Sequence, residues 1–260
     1  MTEIGVLGVG ALAEYLIRGA QGLPYRFLVS PRGAARAAAL GANYGVKIAA
    51  SNQAVVDQTD MVLVCLPAAE GLEILRGLVF RPGQSVLSTM AGTQIAPLRA
   101  ACAPADGFCA MMPGFANAFR AGPSLLFPPD PAWQCFLSHL GPVHEFQSQE
   151  PFETAAVFGA MSGASMFLMR HLADWYIAHG LPPKTAQHLV AQTFRGNAEV
   201  LLQAAEPLDE IVRGVTTPGG ITENLVSTLM AHNALSAWDA AMDKVLVRMA
   251  PDRAQSLSLK

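Results

Sequence analysis

A glycine turn near the start of the sequence constrains the fold more than any other feature. Ile4–Leu7 is an apolar run that predicts a short buried strand, Gly8-Val9-Gly10 interrupts it, and a helical pattern begins at Ala11. In this arrangement Gly8 permits a tight turn and Gly10 leaves room beside the backbone for a pyrophosphate. Ala13, three residues later, lets the helix pack close to the strand.

The start of that helix favours negative charge. Its first N–H groups, at Ala11 and Leu12, have no partner within the helix, and the helix dipole places partial positive charge there. A strand, a Gly-x-Gly-x-x-Ala turn and a helix in direct succession predict a dinucleotide site. The alternative is an ordinary glycine-rich connection between a strand and a helix.

The tip of the second predicted strand indicates which dinucleotide is bound. Tyr25–Val29 is followed by Ser30, Pro31 and Arg32, where an Asp or Glu would hold the ribose 2′-hydroxyl of NAD. No acid is present. A hydroxyl at Ser30 and a guanidinium at Arg32 suit a 2′-phosphate, with Arg36 as a further candidate, so we expect NADP (NADPH).

Strand and helix patterns alternate up to about residue 150, which predicts an N-terminal Rossmann domain of the α/β class with a doubly wound parallel sheet. The clearest buried strand is 60–67, and we expect its end, at Leu66 and Pro67, to lie beside the cofactor. The small residues Ala91 and Gly92 follow the next strand, Ser85–Ser88, and would let a nicotinamide approach the backbone. Further strands are expected at 107–111, 123–127 and 143–146.

From Pro151 onward only helical patterns are found, so we predict a Rossmann domain at 1–150 and an all-helical dimerisation and substrate domain at 151–260. One long helix is expected at 152–179, followed by helices at 183–204, 208–213, 222–232 and 234–249. The long helices are apolar on more than one face, which favours burial against a second subunit.

The composition agrees with an oligomer that stays in the cytoplasm. Apolar residues make up 52% of the chain and charged residues 14%, and the net charge of −3 indicates neither a nucleic acid nor an anionic membrane as partner. Arg170, His171 and Asp174 argue against a membrane span in the most apolar helix. A strand follows Met1 almost at once, so no signal peptide is expected. The four cysteines lack a paired spacing and are expected to be reduced and buried, and the six histidines lack metal-ligand spacing.

A second turn lies between predicted helices, at Thr217-Pro218-Gly219-Gly220-Ile221-Thr222. Backbone N–H groups from Gly219 to Thr222, together with the threonine hydroxyls, predict a small, neutral anion-binding nest. The alternative is a helix start capped by Thr222.

The chain resembles the pyrroline-5-carboxylate reductase family. The resemblance rests on Gly8-x-Gly10-x-x-Ala13, Met90-Ala91-Gly92, Met112-Pro113 and the turn Thr217–Thr222, in the order and spacing of that family. It implies an NADPH-dependent imine reductase that forms a homodimer or larger oligomer through its helical domain and produces a cyclic amino acid such as proline. It also implies an active site shared between subunits. The substrate carboxylate would lie on Thr217, Gly219 and Gly220, with Met112 and Pro113 also at the substrate. Thr222 would hydrogen-bond the substrate nitrogen.

The sequence departs from the family pattern around the substrate. Gly114-Phe115-Ala116 replaces Asn-Thr-Pro, Leu66-Pro67 replaces Lys-Pro, and Ala164-Ser165-Met166 replaces Ser-Gly-Pro. A reductase of a different imine and a non-catalytic NADPH-binding regulator therefore remain as alternatives. Alcohol oxidation of the β-hydroxyacid dehydrogenase type is disfavoured because the region 159–170 has no lysine.

Overall fold

A computed structural model describes residues 1–251. Contacts divide the described chain into two compact units, one formed by Met1–Ala160 with residues 245–251 and the other by Met161–Lys244. The functional division at residue 150 remains a prediction.

The first unit contains one eight-stranded sheet. Its strands are β1 (Thr2–Leu7), β2 (Tyr25–Val29), β3 (Lys47–Ile48), β4 (Met61–Val64), β5 (Ser85–Ser88), β6 (Asp106–Met111), β7 (Ser124–Phe127) and β8 (Val143–Glu145). The order is β3-β2-β1-β4-β5-β6-β7-β8, and the first six strands in this order are parallel. This confirms the doubly wound α/β fold. The strand order reverses between β1 and β4, which is where such sheets bind their ligands.

Helices lie between most of these strands, and one more follows β8. They are α1 (Ala11–Gly19), α2 (Ala34–Tyr44), α3 (Asn52–Gln58), α4 (Ala68–Arg76), α5 (Ile95–Cys102), α6 (Pro131–Ser138) and α7 (Gln149–Ala155), with a 3-10 helix at Phe115–Phe119. The sequence analysis missed α5 and α6. Asp130 caps α6 by accepting the Trp133 N–H at 2.8 Å, ahead of a proline at the first helical position.

One strand was predicted with the wrong direction. β7 runs antiparallel to β6, with register Ala110 to Leu126. A parallel return would require a full crossover, usually an α-helix, and the segment between these strands contains only the 3-10 helix. β8 is parallel to β7, so the expected all-parallel sheet is parallel in every pair but one.

The core lies on both faces of the sheet. On one face Leu16, Ile17 and Leu126 are buried with Trp133 and Phe136. The second apolar layer includes Val62, Val86 and Leu98 on the other face. Two covered faces explain why β4 is apolar at every position.

The remaining helices are α8 (Phe158–Ala178), α9 (Pro183–Gln203), α10 (Leu208–Val215), α11 (Ile221–Ala231) and α12 (Ser236–Met249). The single helix expected at 152–179 is instead two, because α7 ends at Ala155. Ala156 and Val157, which lie at the break, are buried. The stretch Gln149–Ala178 contains an 18-residue window with a mean hydropathy of 1.3, which by length and composition alone could cross a membrane.

The second unit has almost no core of its own. Of residues 161–244, only Ala173, Ala186 and Val190 are buried. Large apolar side chains are exposed on α8, α9, α10 and α11, among them Phe167, Leu202, Ile221 and Met230. An exposed apolar surface of this kind needs a partner.

The cysteines only partly match expectation. All four are free, and Cys102 and Cys109 are buried. Cys135 is exposed, which corrects the expectation of a buried thiol. Cys65 lies one residue beyond β4, where it is half-buried.

Candidate functional site

A cleft of about 570 Å³ opens at the point where the strand order reverses. It gathers seven predicted cofactor residues from three chain segments: Gly8, Gly10, Ala11, Leu12, Arg32, Leu66 and Pro67. Val9, Gly33, Cys65 and Thr89 complete its lining. The carboxyl ends of β1 and β4 therefore meet at one cleft, as a dinucleotide site requires.

The two glycines of the turn have different physical roles. Gly8 has φ of +92°, and a Cβ there would lie 2.7 Å from the Cys65 carbonyl oxygen, so no larger residue fits. Gly10 is the N-cap of α1 with an extended φ of −97°, and a Cβ there would meet no atom within 4 Å. The space beside Gly10 is open, and this fits a pyrophosphate held close to the backbone.

Ser30 supports the turn from within the protein. Its side chain is fully buried, and the Gly8 backbone N–H donates to Ser30 Oγ at 3.0 Å. The hydroxyl predicted to contact a 2′-phosphate thus joins the end of β2 to the glycine turn. It does not line the cleft. The partner lies 22 residues away, so sequence spacing alone could not identify this contact.

The arginines after β2 are exposed and paired with acids. Arg32 donates to Glu70 Oε2 at 3.2 Å, and 64% of its side chain is accessible. Arg36 lies 3.1 Å from Glu14. Both guanidiniums are at the surface, and exposed ion pairs of this type are weak enough to exchange for a phosphate.

The far wall of the cleft is formed by Cys65 and Thr89. The Thr89 hydroxyl donates to the Val64 carbonyl oxygen at 2.9 Å. Burial raises the pKa of the Cys65 thiol to about 11, and the Thr89 hydrogen bond opposes that rise. Cys65 therefore stays protonated at neutral pH and acts as an uncharged wall. Thr89 was not predicted as a site residue, although its position at the end of β5 was a usable signal.

Other predicted residues lie outside this cleft. Gly92, with φ of +76°, lines a separate small cavity with Met111, Phe152 and Met249, and Ala91 is exposed. Met112 is buried in the apolar core, so its side chain packs against the fold, while Pro113 is half-buried.

Arg120, the residue after the 3-10 helix, hydrogen-bonds to backbone carbonyl groups of the protein. Its Nε donates to the Gly19 carbonyl oxygen at 2.9 Å and its side chain also reaches the Gln21 carbonyl. The guanidinium thus binds the carbonyl groups at the end of α1.

The second predicted site lies in the helical unit, between α10 and α11. Gly219 has φ of +73°, and the Gly220 N–H donates to the Thr217 carbonyl oxygen at 2.9 Å. A Cβ on Gly220 would overlap the Thr217 hydroxyl. The turn thus brings the Gly220 backbone close to the Thr217 hydroxyl, and its role in binding an anion stays a prediction.

The helix after this turn starts at Ile221, and Gly220 is its N-cap. Thr222 is therefore the second helical residue, which is evidence against its role as a cap. No protein group within residues 1–251 is hydrogen-bonded to the Thr222 hydroxyl. A half-buried hydroxyl of this kind can orient a ligand.

The turn differs from prediction in one respect, its charge. The Gly219 N–H donates to Glu223 Oε2 at 2.7 Å. The nest expected to be neutral therefore contains a carboxylate from its own chain. Glu223 is the third residue of α11, where an acid often binds the backbone before the helix, so a local signal was present.

Two family models match the chain. Residues 153–251 match the model for pyrroline-5-carboxylate reductase dimerisation, and residues 3–92 match that for NADP oxidoreductase, coenzyme F420-dependent. The pyrroline-5-carboxylate reductase of Pseudomonas aeruginosa is 26% identical over 261 residues, which cover 95% of this chain and 96% of the relative.

The chain resembles the pyrroline-5-carboxylate reductases over nearly its whole length. This confirms the resemblance predicted from the sequence motifs.

Solved structures of that family share the fold. A 1-pyrroline-5-carboxylate reductase from Streptococcus pyogenes matches with a TM-score of 0.83 at 21% identity, covering 94% of this chain and 96% of that one. A pyrroline carboxylate reductase from Plasmodium falciparum, with NADP bound, has a TM-score of 0.81 at 17% identity, with coverage of 95% and 98%.

The two turn glycines provide a matched pair of variants. We expect Gly8→Ala to lower the melting temperature by several degrees, because φ is positive and the Cys65 carbonyl oxygen lies 2.7 Å from the added carbon. Gly10→Ala should leave the melting temperature within about 2 °C and weaken NADPH binding roughly tenfold or more, since its added carbon meets only the open cleft. Thermal unfolding and NADPH titration measure both. Unchanged NADPH affinity in Gly10→Ala would contradict the assignment of the cleft.

Proposed function

We propose that the chain is an NADPH-dependent reductase of a cyclic imine that transfers hydride to the carbon of a C=N bond and gives a cyclic amino acid such as proline. One observation carries the proposal. A dinucleotide cleft at the β1 and β4 ends and a Thr-Pro-Gly-Gly-x-Thr turn lie in one chain, which matches a pyrroline-5-carboxylate reductase over 95% of its length.

The residues of the cleft fit NADPH. The Ala11 and Leu12 N–H groups at the start of α1 would hold the pyrophosphate, with the space beside Gly10 open for it. Arg32 and Arg36 would bind the 2′-phosphate in place of their exposed acidic partners, while Ser30 secures the turn through Gly8. Bound NADPH supplies the hydride. The uncharged residues Leu66 and Cys65 keep part of the cleft apolar.

The turn after α10 provides the groups for the imine. A cyclic imine is basic enough to arrive partly protonated, so no strong acid is required. The Thr222 hydroxyl orients the substrate nitrogen and relays a proton from water. Thr217 and the remaining backbone N–H groups fix the ring away from the reacting bond.

The assembly we propose is a homodimer or larger homo-oligomer formed through the helical unit. The exposed apolar surface of 161–244 and the match of 153–251 to a dimerisation model support it. A second copy also accounts for the apolar character of α8 without a membrane. We place the protein in the cytoplasm, in keeping with four free cysteines.

The cofactor preference is tested at Arg32. Removing its contact to a 2′-phosphate should weaken NADPH binding by roughly 10- to 100-fold and leave NADH nearly unchanged. Arg76, exposed at the end of α4 and outside the cleft, serves as a control for charge alone. Fluorescence titration of Arg32→Ala and Arg76→Ala with both cofactors measures the effect. Equal affinity of the unmodified protein for NADPH and NADH would contradict the preference.

The reaction is tested at Thr222. We expect Thr222→Val to lower kcat/KM for a cyclic imine by roughly 10²-fold, as for loss of one oriented donor, with NADPH affinity within about twofold. NADPH oxidation over a panel of cyclic imines measures it. Thr228→Val is the matched control, since the Thr228 hydroxyl donates to the Asn224 carbonyl of the same helix. If no imine is reduced while NADPH still binds, a non-catalytic regulator is the better explanation.

The oligomer is tested by size-exclusion chromatography with light scattering. Because residues 161–244 bury only three of their side chains, we expect a dimer or larger species at micromolar concentration. A stable monomer under these conditions would contradict the proposed assembly.

A further inference from the structure

The turn between α10 and α11 already holds an anion, the carboxylate of Glu223. Its Oε2 accepts the Gly219 N–H at 2.7 Å. The site also lies at the start of α11, where the helix dipole stabilises negative charge. A charge-assisted bond of this length is stronger than a bond between neutral groups.

A second N–H group of the turn also donates to an acceptor within the protein. The Gly220 N–H donates to the Thr217 carbonyl oxygen at 2.9 Å. Of the four backbone donors predicted to bind an anion, those of Ile221 and Thr222 remain. A carboxylate from a substrate would either displace Glu223 from Gly219 or bind next to its negative charge.

No cation of the helical unit forms an ion pair with this acid. Among residues 161–244 the ion pair joins Arg170 to Asp174, and none involves Glu223. Arg120, the loop cation closest in sequence to the Met112-Pro113 segment, is bound to the carbonyl groups at the end of α1. Two carboxylates in one turn would therefore repel each other.

We infer that Glu223 determines substrate specificity by competing with a substrate carboxylate for the Gly219 N–H. The inference rests on the proposed imine reductase function. Glu223 lowers the preference of the enzyme for carboxylated imines and extends its range to cyclic imines without a carboxylate. A protonated imine of the latter kind is a simple cation and is attracted to Glu223.

The test compares two substrates that differ only in the carboxylate, 1-pyrroline and 1-pyrroline-5-carboxylate. Glu223→Gln removes the charge and keeps an oxygen that can accept the Gly219 N–H, so the turn is preserved. We expect the ratio of kcat/KM for the carboxylated imine over 1-pyrroline to rise about tenfold in Glu223→Gln, and at least as much in Glu223→Ala. Glu210→Gln, an exposed acid in the first turn of α10, is the matched control and should leave the ratio unchanged.

A binding experiment distinguishes a failure of this inference from a failure of the proposed function. In the presence of NADP⁺, calorimetry should show tighter binding of proline to Glu223→Gln than to the unmodified protein, with pyrrolidine binding no tighter. This selective gain in proline binding supports the role of Glu223 even if neither imine is reduced. A lack of imine reduction would overturn only the reductase proposal. The role of Glu223 would be overturned if kcat/KM changed equally for both imines and affinity changed equally for proline and pyrrolidine. Weaker binding of proline to Glu223→Gln would also overturn it.

Discussion

One buried hydrogen bond fixes the turn on which the nucleotide cleft depends. The Gly8 N–H donates to Ser30 Oγ at 3.0 Å, which ties the end of β1 to the end of β2. Because the bond is buried, leaving the Gly8 N–H without a partner would cost about 1–3 kcal/mol. The same contact holds the segment that carries Arg32 next to the glycine turn, so the proposed phosphate site and the sheet depend on one interaction.

The strand order places further residues around this contact and so forms the cleft. β4 joins β1 on the side opposite β2, and the residues after β4 close the cleft. Gly8 must be glycine because it passes the Cys65 carbonyl oxygen, whereas a Cβ at Gly10 would meet no protein atom within 4 Å, so only the proposed cofactor would require a small residue there. Stability and the proposed binding therefore place separate demands on two glycines that are two positions apart.

Much of the nucleotide unit could be predicted because its signals are local. The apolar run of β4 and the glycine turn are both read within a few residues. The direction of β7 could not be predicted in this way. It depends on the length of the segment between β6 and β7 and on whether that segment can form a crossover helix. The role of Ser30 depends on a partner 22 residues away. Such contacts are set by tertiary packing and leave no periodic pattern.

The helical unit shows the same limit with a different cause. Its helices and its turn follow from sequence pattern, but glycines and threonines alone predict a neutral nest, and only the acid at the third position of α11 indicates that the Gly219 N–H has an acceptor. A backbone nest is neutral only if no neighbouring acid reaches it. Here the same feature that favours a substrate anion, a helix start rich in free N–H groups, also attracts Glu223. The anion affinity of the turn and the identity of its occupant are therefore separate questions, and the second sets which imines the turn favours.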